Sequence, residues 1–299
     1  MTAPETSRRR ILVSTMAFVF GMALGLLSSR PITDVQAAPR GAADNPTAGI
    51  TTQDGSQPGS TPVLVELFTS EGCSSCPSAD TLLARLEREQ PVPAADILAL
   101  EEHVDYWDSL GWHDRFSSNR FSARQSAYST RLLLNSEYTP QMIVDGTYEF
   151  VGNDIVHAFH AIAQAASAPK LTLRLSPLTR DGVHVSGSVS IAPLNTTLHH
   201  ADLYAAVVES VASTQVLGGE NGGQTLHHVS VVREMQRIGS LATMRGSPLK
   251  FSLSLPGDVS AADLRVVVFV QRAGQGAILG AVSSPQIELP DSAVTLASR

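Results

Sequence analysis

Glu71-Gly72-Cys73-Ser74-Ser75-Cys76-Pro77-Ser78 contains the only two cysteines of this 299-residue chain. Before it runs Val63-Leu64-Val65-Glu66-Leu67-Phe68, which reads as a buried strand. After it, residues 82–89 read as an amphipathic helix with Leu82, Leu83 and Leu86 on one face. A Cys-x-x-Cys at such a junction has a physical meaning. The free amide N–H groups and positive dipole end of a helix N-terminus stabilise a thiolate on the first cysteine. The thiolate is the species that attacks disulfides or binds metals. Pro77 fits the first helical turn, where a missing N–H costs least.

Working outward, Asp96-Ile97-Leu98-Ala99-Leu100 reads as a second strand that continues towards His103-Val104-Asp105. The segment 106–114 follows, with both tryptophans, Trp107 and Trp112, and then a helix over 119–134 whose inner side carries Phe121, Tyr128 and Leu132. Asp145-Gly146 between two apolar runs predicts a tight hairpin. Thr139-Pro140 stands just before the hairpin's first strand, a place for a turn or a cis bond. Asn153-Asp154 caps a last helix, in which Ile155, Phe159, Ile162 and Ala166 are expected to share one face. This order makes a complete small α/β domain.

These phrases carry a resemblance. The order of elements resembles the thioredoxin fold. Residues 66–77, His103-Val104-Asp105-Tyr106-Trp107 and Tyr138-Thr139-Pro140-Gln141-Met142 resemble a bacterial secreted family known as domain of unknown function 1223, which is regarded as thioredoxin-like. The resemblance implies that Cys73 is the attacking thiol, that Cys76 resolves the mixed disulfide, and that Pro140 is a cis-proline with Thr139 offering backbone groups to a bound peptide. Two departures stand out. Ser74-Ser75 replaces the usual Gly-Pro, and Leu67 takes the place of the buried acid six residues before the first cysteine. Glu66 lies one residue earlier, which in a strand means the opposite face. It is retained as a candidate proton acceptor for Cys76.

The cysteine pair admits three chemistries. It can exchange dithiol and disulfide with an envelope protein or a small-molecule thiol, with no cofactor. It can hold copper, since soft thiolates select Cu(I) and an imidazole, best His103, can complete the site. Or it can be a structural bridge, although so short a loop removes little chain entropy. His103, Asp105 and Trp107 are candidates for lining a groove beside Cys73. Asp105 and the aromatics read equally well as caps and sheet cover.

From Lys170 onward alternating runs at 171–175, 183–189 and 251–255, and further strand-like runs at 203–208, 229–232 and 264–270, predict strands. The fold class expected is therefore an α/β thioredoxin-like domain over 62–168, followed by an all-β sandwich-like domain over 169–290 and a tail over 291–299. A non-catalytic envelope-binding role for that second domain is a third functional alternative. The pairs His199-His200 and His227-His228 read as structural, because strand neighbours point to opposite faces. Gly218-Gly219-Glu220-Asn221-Gly222-Gly223 reads as a long hairpin loop able to reach over the cysteines.

The N-terminus reads as an address. Arg8-Arg9-Arg10 precedes an apolar run over 11–27, and small residues follow around Ala37. Residues 1–37 are expected to be an export signal, similar in part to a twin-arginine signal, or else an uncleaved anchor; only then would the membrane be a partner. Residues 38–61, rich in Pro, Gly, Ser and Thr, read as a flexible linker. Periplasmic or extracellular residence follows. A net charge of −7 and no basic cluster in the body of the chain argue against nucleic acid.

Overall fold

The computed structural model describes residues 59–192, 200–244 and 246–287. The signal, most of the linker, His199 and the C-terminal tail lie outside them. The first half contains strand β1 (Thr61–Thr69), helix α1 (Pro77–Glu89), β2 (Ala95–His103), α2 (Asn119–Leu132), β3 (Gln141–Val144), β4 (Tyr148–Val151) and α3 (Ile155–Ala166). The second half adds β5 (Leu173–Leu175), β6 (Thr179–Asp181), β7 (His184–Ile191), β8 (Ala201–Gln215), β9 (Thr225–Ser240), β10 (Leu249–Ser254), β11 (Leu264–Arg272) and β12 (Ile278–Gln286), with a single helical turn at Leu241–Met244.

Local signals explain most of these elements. Asp154 caps α3 by accepting from the amides of Val156 and His157. Leu133, at φ 57°, ends α2 in the left-handed region two residues before the expected stop. Asp145 and Gly146 take φ values of 53° and 63°, the pair of left-handed conformations to which Asp-Gly is suited. The buried stripe of α3 differs from expectation: Ile155 is exposed, and Ala158, Ala161, Ile162 and Ala165 face the sheet.

The expected division into a thioredoxin-like domain and a β-sandwich is overturned by the sheet. One mixed eight-stranded sheet runs in the order β12-β11-β8-β9-β2-β1-β3-β4, so strands of both halves share it. β1 and β2 are parallel, and β9 joins the free edge of β2 in parallel at Glu101 and Val231. A smaller sheet, β10-β7-β5 with β6 beside β7, covers the other end. The physical reason lies in β8 and β11, which are buried on both faces and not on one. Leu203, Ala205, Val207, Val266 and Val268 pack towards β7 and β10. Ala206, Val208, Val267 and Phe269 pack against Leu64, Leu98 and Leu100 of β1 and β2, with Phe121 of α2. A free-standing sandwich would leave that second face in water.

On the first half of the sheet, α1 and α3 cover one face through Val65, Leu67, Leu83, Leu86 and Ile162. The opposite face carries a buried polar group. Arg124 of α2 donates from Nε to Glu66 at 2.6 Å, and Tyr128 Oη donates to the other Glu66 oxygen at 2.6 Å. Gln271 of β11 donates to Tyr128 Oη at 2.8 Å, so this group ties α2 and β1 to the second half. Glu102 lies 3.5 Å from Arg124; burial first, and then Glu66, raise its pKa well above the usual carboxylate range against the pull of Arg124.

Removing one partner of such a buried set strands the others. Arg124→Met is expected to lower the unfolding free energy by about 3–5 kcal/mol in a denaturant titration. A loss under about 1 kcal/mol would mean that Arg124 is not what keeps Glu66 tolerable in the core.

Candidate functional site

The cysteine loop leaves β1 at Thr69 and enters α1 at Pro77. Cys76 is the residue before the helix, and its carbonyl accepts from the amides of Ala79 at 2.8 Å and Asp80 at 3.1 Å. Cys73 and Cys76 form a disulfide with Cα atoms 5.4 Å apart. Both are buried, at 1% and 0% exposure, while Ser74 and Ser75 between them face solvent.

The tip of the β8–β9 hairpin is bonded to the backbone of the cysteine loop. Asn221 Nδ2 donates to the carbonyls of Glu71 at 2.9 Å and Cys73 at 3.0 Å, and the Ser74 amide donates to Glu220 Oε2 at 3.0 Å. The glycines of this tip permit the approach. A Cβ on Gly218 would stand 2.5 Å from the carbonyl oxygen of Gly111, and Gly219, at φ 68°, lies against Trp112. The hairpin loop does reach over the cysteines.

The residues quoted from the sequence separate into two groups. Cys73, Cys76, Thr139, Pro140 and Trp107 come together at the end of β1. The Thr139-Pro140 bond is cis. Trp107 donates from Nε1 to Thr139 Oγ1 at 2.8 Å, and its Cβ lies 3.3 Å from where a Cβ on Gly72 would sit. Pro140, Leu67 and Ala79 crowd around Gly152, where a side chain would meet all three. Glu66 lies on the other sheet face with Arg124 and Tyr128. Asp105 accepts from Ser122 Oγ in the first turn of α2, as a helix anchor does. His103 is turned towards Asp114, Glu101 and His228.

Beneath the cysteine loop lies a buried polar cluster that sequence reading did not assemble. Glu101 and His103, two apart on β2, share the face covered by α1. His103 Nδ1 lies 2.6 Å from Asp114 Oδ2, and the same carboxylate accepts from the amides of Glu71 and Phe116. His228 of β9 places Nδ1 2.6 Å from Glu101 Oε1, while Glu101 Oε2 accepts from the Val229 amide at 2.9 Å. Glu71, two residues before Cys73, receives the Trp112 indole N–H at 2.7 Å.

Burial opposes charge on both imidazoles, but the carboxyl groups outweigh it. The His103 pKa stands well above its ordinary value because of Asp114 and Glu101, and that of His228 rises to about 9 because of Glu101 and Glu71. Burial likewise works against ionised Glu101 and Asp114, yet the histidines bring both down to about 2. Asp80, one helical turn beyond Cys76, accepts from Thr69 Oγ1 at 2.7 Å. Burial, then Glu101, push its carboxyl up to about 7. The signal for Asp80 and His228 was faint. Asp80 is an acid among the buried positions of α1, and His228 is the inward member of a pair whose neighbour His227 is exposed.

The family described as protein of unknown function (DUF1223) matches residues 64–271. The chain belongs to the DUF1223 family. Among solved structures it is similar to a structural-genomics target from Agrobacterium tumefaciens, 26% identical, with a TM-score of 0.59 over 77% of this chain and 97% of that one. A domain of the outer membrane lipoprotein Omp28 from Porphyromonas gingivalis is 14% identical with a TM-score of 0.25, covering 39% of this chain and 88% of that one. So low a score carries no argument about this chain. No curated protein matches it. Among the described residues of this DUF1223 protein, no helix is long and apolar enough to cross a membrane.

Two outcomes follow from this geometry. Asn221→Ala removes both hydrogen bonds that pin the hairpin tip over Cys73, each worth about 1 kcal/mol. Reduction of the disulfide by dithiothreitol, followed by mass after alkylation, should become about tenfold faster; an unchanged rate would mean that the tip does not control access. Asp80 has its pKa raised on folding, so its contribution to stability is full below pH 4 and is lost as pH rises through about 7. Asp80→Asn keeps the acceptor for Thr69 and cannot ionise. Its stability relative to the parent should improve by about 2–4 kcal/mol between pH 4 and pH 8, whereas parallel pH profiles would place the Asp80 pKa near its ordinary value.

Proposed function

We propose that this DUF1223 protein is an exported thiol–disulfide exchange protein whose working pair is Cys73 and Cys76. The observation that carries the reading is the pair's position at the first turn of α1, with the buried Asp80 one turn on and the cis Thr139-Pro140 bond and Trp107 beside it. Helical Cβ atoms tilt towards the N-terminus, so the Asp80 side chain lies over the turn that begins at Cys76. It takes the part of proton acceptor for which Glu66 lies on the wrong face. Export is supported by the disulfide, a bond that persists in oxidising compartments, and by the charged and apolar N-terminal segment.

From the reduced side, the Cys73 thiolate attacks one sulfur of a partner disulfide, and the partner's other sulfur leaves as a thiolate. Cys76 gives its proton to Asp80 and attacks Cys73 Sγ. The Cys73–Cys76 bond forms, the partner leaves as a dithiol once its thiolates are protonated, and two electrons have passed to it. The reverse sequence oxidises a partner dithiol. Either direction requires the Asn221 tip to lift. The partner is an envelope protein or a small thiol or disulfide.

Equilibration of the full chain against glutathione tests the reading. A reversible couple between about −270 and −120 mV, with Cys76→Ser trapping a mixed disulfide and Cys73→Ser trapping none, is expected. A potential below about −300 mV would mark a structural bridge and overturn it.

A further inference from the structure

The cluster under the cysteine loop contains a set of atoms that hydrogen bonding leaves unserved. His103 Nε2, His228 Nε2 and Glu71 Oε1 are buried and meet no hydrogen-bond partner. Their side chains are fully buried, at 0% exposure. They are not scattered. His103 Nε2 lies 3.3 Å from Glu101 Oε1, at an angle that makes no hydrogen bond, and His228 Nε2 lies 3.5 Å from Glu71 Oε1. One donor atom from each of Glu101, His103 and His228 lies within 4.8 Å of the others.

Burying unpaired polar atoms at this density costs stability unless something else satisfies them. The arrangement has the form that a metal demands. His103 directs Nδ1 to the Asp114 carboxylate, itself held by the Glu71 and Phe116 amides, which fixes the ring and leaves Nε2 for a ligand bond. Glu101 is held through Oε2 by the Val229 amide, and its Oε1 lies 2.6 Å from His228 Nδ1 and 3.3 Å from His103 Nε2. Glu71 is held through Oε2 by Trp112, which leaves Oε1 towards His228. Zinc bonds of about 2.0–2.2 Å put tetrahedral ligands roughly 3.3 Å apart, the spacing of His103 Nε2 from Glu101 Oε1.

We infer that His103, His228 and Glu101 form a binding site for a divalent transition metal, zinc by the chemistry of its donors, with Glu71 beside His228. Two imidazoles and a carboxylate suit zinc, whereas Cu(I) asks for thiolate or thioether, and the only two thiols of the chain are joined to each other. Three carboxyl groups, Glu71, Glu101 and Asp114, surround the two imidazoles, so a dication has charge to meet. The three ligands come from β2 and β9, and the metal would clamp those strands together. The site is independent of the thiol chemistry proposed above, since neither sulfur is a ligand.

The test uses the full chain, purified with its disulfide intact. Elemental analysis should find one zinc per chain, or the chelator-treated protein should take up one at micromolar zinc with a higher melting temperature. Cobalt(II) substitution should give visible d–d bands of a nitrogen and oxygen site, with no thiolate charge-transfer band in the near ultraviolet. Cys73→Ser/Cys76→Ser should bind unchanged. Asp114→Asn, which leaves every ligand in place, should weaken binding about 10–100-fold, and His228→Gln should abolish it. The cobalt spectrum is read on the parent, so a variant that fails to fold leaves the outcome decided. Folded parent that takes neither metal at micromolar concentration overturns the proposal, and the cluster is then a set of imidazolium–carboxylate pairs. A thiolate band, or loss of binding in the double serine variant, overturns it as well.

Discussion

The backbone joint between the two halves of the large sheet centres on Glu101. β9, β8, β11 and β12 reach the first half through the edge of β2, and the ladder there consists of a single paired position, Glu101 against Val231. The chain of β9 cannot extend the ladder, because Ser230 turns into the left-handed region at φ 54°. A side chain completes what the backbone leaves open. Glu101 Oε2 takes the Val229 amide, which would otherwise be an orphan donor at a buried edge, and Oε1 takes His228. An isolated buried carboxylate is expensive, but one that accepts two hydrogen bonds beside two histidines keeps its charge. The joint therefore needs His228 and His103 as much as it needs Glu101.

That dependence explains which parts of the fold were legible in the sequence. The first half is built from local signals: the apolar run of β1, the Asp-Gly turn, the Asp154 cap and the leucine stripe of α1 all act over a few residues and read correctly. Six strands of the second half were visible as alternating or apolar runs; β6, an exposed three-residue strand, was not, nor was β12, since Pro285 and its serines mask a short apolar run. How the halves join was invisible. Glu101 and His228 stand 127 positions apart, and nothing in either neighbourhood announces the other. The run 203–208 of β8 shows a strand but not which cores it enters. Its small residues, Ala205 and Ala206 among them, in fact face opposite ways into two cores.

The site divides along the same line. Cys73, Cys76, Thr139, Pro140 and Trp107 were recognisable because short phrases carry them, and they do gather at one end of β1. Glu66 was the acid nearest in sequence to the position where one was wanted. One residue of offset sends it to Arg124 across the sheet, and the acid on the cysteine side is Asp80, supplied by the helix and not by the strand. Acids at buried helix positions look like surface residues in a sequence. Only the packing of β9 against α1 and β2 turns that face of the helix inward.

The β8–β9 hairpin does two jobs seven residues apart, and this bears on how the cysteine loop behaves. Asn221 at its tip holds the carbonyls of Glu71 and Cys73, and His228, near the start of β9 beyond the tip, lies against the side chain of Glu71. The Glu71 amide, meanwhile, is held by Asp114. Glu71 is thus gripped by backbone and side chain from both halves of the molecule, while Ser74 and Ser75, three and four residues on, face solvent. A loop fixed at its root and covered by a tip can open only by moving the tip. Two hydrogen bonds from Asn221, one to Glu220 and the close approach of Gly218 and Gly219 to Gly111 and Trp112 hold the tip, whereas the buried joint at Glu101 holds the sheet, so the two attachments of the hairpin are separate.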